Sequence, residues 1–195
     1  MTLAVVAPPA AKRKDNERLD GLLARYMPQD AILVEQATDL ELARGKKVLF
    51  AVSLDDGGMN SELDAMKRRL ALEPTLLEGT TGAVWVDGPG ALFTKSIARE
   101  IVFYTNRAGC AFIPKALIEG TGDLYNFELR AALMKTDLKS AYGYHLAQLL
   151  RRLQTDRPPA PASPVELLAV AATNRLRNAN TVCFWNLVRD ALPEH

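Results

Sequence analysis

The chain has 195 residues, 48% hydrophobic and 24% charged, a composition that excludes disorder and collagen and suits one globular domain with an appendage. Lys and Arg total 24 against 23 Asp and Glu, and a net charge of +1 gives no electrostatic footprint for nucleic acid. Two cysteines, Cys110 and Cys183, exclude a disulfide framework, and no stretch has the ~18–20 consecutive apolar residues of a membrane helix, so a cytoplasmic protein with no membrane partner is expected.

Apolar runs of strand length recur with helical patterns behind them, the rhythm of a parallel α/β sheet. The first run is Leu3–Ala7, read as a strand because it is too short for a signal peptide and no basic residue precedes it. A helix is predicted from about Asp15 to Met27, with Leu19, Leu22, Leu23 and Tyr26 on one face. The second strand is Ala31–Glu35, followed by a polar segment, Gln36–Lys47, with room for a short helix. The third strand, within Lys46–Asp55, runs into the turn-rich loop Asp55–Ser61, where Asn60 or Ser61 caps a helix over Glu62–Leu72. The fourth strand, Gly82–Asp87, leads through Gly88-Pro89-Gly90 into a helix over Thr94–Ala108 that Gly109 stops. A short fifth strand, Ala116–Glu119, is followed by Gly120-Thr121-Gly122 and helical sequence to about Leu153, broken near Lys139–Gly143.

Pro158, Pro159, Pro161 and Pro164 make residues 154–164 an extended linker, so the domains read as 1–153, the linker, and 165–195. The last segment is one β-loop-α unit: strand Val165–Ala171, loop Ala172–Thr181, helix Val182–Leu192. Alone it is too small to fold. It docks on the first sheet, pairs with another chain, or opens a second domain.

Open parallel sheets bind ligands outside the carboxyl ends of their strands. Three consecutive exits there carry acids and glycines: Asp55, Gly57 and Asn60; Asp87 and Gly88, with Thr94, Lys95 and Ser96 opening the next helix; and Glu119, Gly120 and Gly122. Glycines permit close backbone approach and helix starts offer N–H groups to anions, which makes these loops candidate ligand sites, for instance for a phosphorylated metabolite. Such loops are also what any tight βα connection uses. Asp55, Asp56 and Asp87 are weighed as a hard-cation site and set aside, and no Cys/His set has zinc spacing. His145, Cys110 and Cys183 read as packing residues, so no catalytic acid, base or nucleophile is named.

The loop after the last strand offers more donors: Thr173, Arg175, Asn180 and Thr181 stand before a helix start, an arrangement that suits an anion. Ala172-Thr173-Asn174-Arg175 followed by Asn180-Thr181 resembles the FMN-phosphate loop of the flavodoxin-like NAD(P)H-dependent FMN reductases, with Ala172 where that family has glycine. The resemblance covers residues 165–193. It implies that Thr173, Arg175, Asn180 and Thr181 hold the FMN phosphate, with NAD(P)H as co-substrate and a small-molecule electron acceptor. The fold expected is a three-layer flavodoxin-like doubly wound parallel sheet of order 2-1-3-4-5, followed by a β-α fragment of a second similar domain. The first loop, Ala7–Lys14, does not match a flavin-phosphate loop. The competing expectation is a non-catalytic flavodoxin-like module that mediates assembly, with homo-oligomers among the outcomes, its sheet edge completed by strand 165–171 from the same chain or a neighbour.

Overall fold

The computed structural model describes residues 3–10, 17–90 and 92–156. The expected linker residues 157–164, the β-loop-α unit 165–195 with Thr173, Arg175, Asn180 and Thr181, the basic run Lys12–Lys14 and Cys183 lie outside the described residues.

Five strands form one parallel sheet in the order β2-β1-β3-β4-β5. They are β1 (Leu3–Val6), β2 (Ile32–Val34), β3 (Lys47–Ser53), β4 (Thr81–Asp87) and β5 (Ala111–Gly120). β3 and β4 are buried throughout, which is why both read as unbroken apolar runs and not as alternating ones. Successive side chains still serve opposite faces. Val84 and Val86 join the core under α2 (Ser61–Leu72) and α3 (Thr94–Arg107), while Ala83 and Trp85 join the one under α1 (Glu17–Tyr26), α4 (Glu128–Met134) and α5 (Leu138–Thr155). Helices on both faces of a parallel sheet make the three-layer, doubly wound α/β architecture expected from the sequence.

Local rules account for most boundaries. Asn60 caps α2, its side chain accepting the Leu63 N–H at 2.9 Å. Gly109 follows α3 at φ +94°, with the Glu78 backbone 2.9 Å from where a Cβ would stand, so only glycine turns the chain there. The polar segment after β2 forms a 3-10 helix, Ala37–Ala43.

Two boundaries differ from the sequence reading. β5 begins at Ala111, five residues before the expected Ala116, because Ala111 and Phe112 pair with Thr81 and Gly82 before the register slips. The slip places Leu117 opposite Val84, and within it Lys115 adopts a left-handed φ of +53°. Pro114 and Lys115 interrupt the apolar run and hide the strand's first half from pattern reading. The helical stretch after β5 breaks at Lys135–Asp137, not at Lys139–Gly143. Lys135 ends α4 in the left-handed region, and Asp137 caps α5 by accepting the Ser140 N–H at 2.9 Å. Gly143 lies inside α5, where its missing side chain admits the Tyr26 hydroxyl.

Candidate functional site

The parallel register gathers the exits of β1, β3, β4 and β5 at one edge. Chain order reverses between β1 and β3, so that is where an open sheet offers its crevice. Here the crevice is bridged from inside. Asn60, 4% exposed, donates from Nδ2 to Ser53 O at 3.0 Å, Pro8 O at 3.3 Å and Pro9 O at 3.4 Å. The β1 exit thus turns carbonyl oxygens inward, and its two prolines have no N–H to offer an anion.

At the β3 exit, Asp55 accepts its own loop's Gly57 and Met59 N–H groups at 2.8 and 2.9 Å, a closed turn. The β3 and β4 loops meet where the Phe93 ring fills the notch left by Gly58. A Cβ on Gly58 would fall 2.3 Å from Phe93 Cδ2, and both residues have a φ of +75°. Beside this contact lies a hollow of about 170 Å³, lined by Leu54, Asp55, Gly58, Gly90, Leu92 and Phe93. Leu92, Phe93 and nearby Met59 are exposed, an apolar rim at the sheet's carboxyl edge.

The β4 exit is centred on Asp87, whose side chain is 5% exposed. Arg18 from α1 donates to it from Nε and Nη2, and the Tyr142 hydroxyl from α5 donates to its Oδ2 at 2.8 Å. Trp85 Nε1 donates in turn to the Tyr142 hydroxyl. Burial pushes the Asp87 carboxyl above its ordinary range, and the guanidinium and phenol only partly offset this. Burial and the adjacent Asp87 charge push the Tyr142 phenol well up as well.

The β4 and β5 exits are tied together: Gly88 N–H donates to Gly120 O at 2.9 Å, Gly122 N–H to Gly90 O at 3.3 Å, and Arg18 Nη1 to Gly122 O at 2.8 Å. A Cβ on Gly122 would fall 1.8 Å from Pro89 O, and one on Gly120 2.5 Å from the Tyr142 hydroxyl. These glycines serve close packing of the edge.

The donors expected at the start of α3 are already engaged. Thr94 Oγ1 donates to Glu119 Oε2 at 3.0 Å, Lys95 Nζ stands 4.0 Å from Glu119 Oε1, and Ser96 Oγ donates to Phe93 O at 2.8 Å. An acid facing that helix start opposes an anion there. Of the sequence-predicted loops, the structure therefore brings together Asp87, Gly88, Gly120 and Gly122 in one cluster, and Thr94, Lys95 and Glu119 in another. Arg18, Trp85 and Tyr142 carry no sequence signal, because what selects them is contact with Asp87 across the fold. No group of three or more His, Cys, Asp or Glu side chains among the described residues is placed to hold a metal ion. No helix among them is long and apolar enough to cross a membrane.

No protein-family model and no curated protein matches the chain. Among solved structures, oxidised flavodoxin 2 from Bacillus cereus aligns with a TM-score of 0.52 at 15% identity, covering 78% of this chain and 99% of that one. A short-chain flavodoxin associated with a non-canonical PDU bacterial microcompartment aligns with a TM-score of 0.46 at 15% identity, covering 75% and 99%. The topology derived above and the first of these alignments establish a flavodoxin-like fold.

Proposed function

We propose that this chain is a flavodoxin-like redox protein that holds FMN and passes hydride from NAD(P)H to a small-molecule acceptor in the cytoplasm. The observation that carries the reading is the 2-1-3-4-5 sheet with a hollow at its carboxyl edge, lined by Leu54, Leu92 and Phe93 on one hand and Asp55 and Asp56 on the other, where open α/β sheets take their ligands. The two ends of FMN fare differently at this edge. Leu92, Phe93 and Met59 give a flat ring an apolar surface to lie on. Among the described residues of the β1 exit, Pro8 and Pro9 offer the phosphate no N–H, and their carbonyls accept from Asn60. The residues proposed to hold the phosphate are those carrying the resemblance to an FMN-phosphate loop, Thr173, Arg175, Asn180 and Thr181. Bound flavin supplies the hydride chemistry, and the protein's part is to hold and orient it.

The test is the visible absorbance of the purified chain after FMN loading and removal of unbound flavin. Equimolar retained FMN, lost on Arg175→Ala, is the expected result, with riboflavin binding less affected because it has no phosphate. A chain that retains no flavin overturns the reading.

One observation favours a non-catalytic assembly module instead. Among the described residues β2 is an edge strand of only three residues, its Leu33 is 55% exposed, and a hollow of about 320 Å³ lined by Val5, Leu19, Leu23 and Met27 adjoins it. That reading requires a colourless protein whose sedimentation shows a concentration-dependent dimer, abolished by Leu33→Lys.

A further inference from the structure

The register slip in β5 and the face of α5 that carries His145, Leu149 and Arg152 line a hollow of about 240 Å³. Its polar lining is Lys115 from β5, Arg130 from α4, and His145 and Arg152 from α5, with Ile118 and Leu149 as apolar wall. The hollow shares no lining residue with the Asp87 cluster, although Phe127 packs against both Tyr142 and His145.

Three permanent cations and an imidazole share this space, and no carboxylate lines it. Among the described residues no ion pair reaches Lys115, Arg130 or Arg152. Gathering like charges around one hollow costs energy unless an anion offsets it.

Arg130 and Arg152 are also held in place. Arg130 lies over the Phe127 ring at 5.2 Å, and the His145 ring packs against the same phenyl at 5.8 Å. Arg152 Nη2 donates to Lys115 O at 3.1 Å, a carbonyl whose position follows from the left-handed φ of Lys115. Arg152 Nε is buried with no hydrogen-bond partner among the described residues. A buried guanidinium N–H left without an acceptor is costly, which favours an acceptor beside Arg152. Burial and the two neighbouring guanidinium groups hold the His145 pKa below its ordinary value, so near neutral pH the ring is an uncharged partner.

We propose that this hollow binds a phosphate-type oxyanion, as inorganic phosphate or the phosphoryl group of a small phosphomonoester, between Arg152, Arg130 and Lys115. The guanidinium groups suit its oxygens geometrically, and Ile118 and Leu149 leave an apolar wall for the organic part of an ester.

The experiment titrates the full chain with inorganic phosphate at constant ionic strength, reading Tm and the His145 ring resonances in a His195→Gln background. A saturable rise in Tm with a shift of the His145 signals is expected. Arg130→Gln removes an exposed cation, and Lys115→Gly removes another while suiting the positive φ. Each is expected to weaken phosphate binding about tenfold or more, since charged hydrogen bonds are worth about 1.5–3 kcal/mol. Glycerol phosphate binding tighter than phosphate identifies the ester as the ligand; the reverse order identifies the free ion. Equal effects from sodium chloride, or unchanged binding in both variants, overturn the proposal. FMN retention by these variants is expected to match the parent chain, which separates this site from the flavin reading.

Discussion

Arg18 and Asp87, 69 residues apart, meet side-on, Nε lying 3.0 and 2.9 Å from the two carboxylate oxygens and Nη2 lying 2.5 Å from Oδ1. The contact pins α1 to the end of β4, and with Tyr142 it pins α5 there too. Burial nevertheless dominates, so the folded Asp87 pKa lies above its ordinary 3.8. A raised carboxyl pKa means that the folded chain binds its proton more tightly than the unfolded chain does. The stability this provides is complete below 3.8 and is lost as pH climbs through the folded value. Arg18→Leu removes the main offset and should widen that loss, whereas Asp87→Asn should abolish it. Urea midpoints of parent and variants across acidic pH check this by difference, and a parent-minus-Asp87→Asn stability that rises with pH through this window refutes it.

Tyr142→Phe removes the hydroxyl that accepts from Trp85 and donates to Asp87. Trp85 is fully buried, so its Nε1–H is left without an acceptor, at an expected cost of about 1–3 kcal/mol. Denaturant unfolding measures the loss, and a change below ~0.5 kcal/mol shows that the network contributes little.

Asn60 plays two roles that substitutions separate. Asn60→Ala loses the α2 cap and the amide donor, for about 1–3 kcal/mol. Asn60→Asp keeps the cap but sets a carboxylate against the carbonyls of Ser53, Pro8 and Pro9. It should be the worse variant at neutral pH and recover in acid, where the protonated side chain regains a donor. Thermal melts at the two pH values decide the order.

Gly58→Ala places a Cβ against the Phe93 ring and forces a left-handed φ on alanine, so a loss of about 1 kcal/mol or more is expected. In a Phe93→Ala background only the φ cost remains. A double-mutant cycle should therefore show coupling, and strict additivity contradicts the contact.

The Cys110 thiol is buried, and burial pushes its pKa to about 12. In a Cys183→Ser background, alkylation at mildly alkaline pH should be negligible until the chain unfolds. Rapid labelling of the folded protein counts against this burial.

The sheet was legible because parallel strands buried on both faces announce themselves as apolar runs, as Val48–Val52 and Ala83–Val86 do. Asn60 and Gly109 were legible because a cap and a left-handed stop depend on few neighbours. The Arg18 to Asp87 contact was not, since nothing local to either residue specifies a partner 69 positions away. The break at Lys135 was hidden for a different reason: a lysine adopts the left-handed region without any compositional mark. The cationic hollow stayed invisible because Lys115, Arg130 and Arg152 converge only through the β5 register slip and the α4 to α5 turn.

The ties among Gly88, Gly90, Gly120, Gly122 and Arg18 make the β4 and β5 exits a single stiff lip. Amide exchange at Gly88 should accordingly be slow, because its release requires separating the end of β4 from that of β5. Toward the β3 loop, Phe93 of the β4 loop rests on Gly58, and among the described residues no backbone hydrogen bond joins the two. Moving that half-exposed ring out of the glycine notch is a side-chain event that leaves the sheet's hydrogen-bond ladder intact.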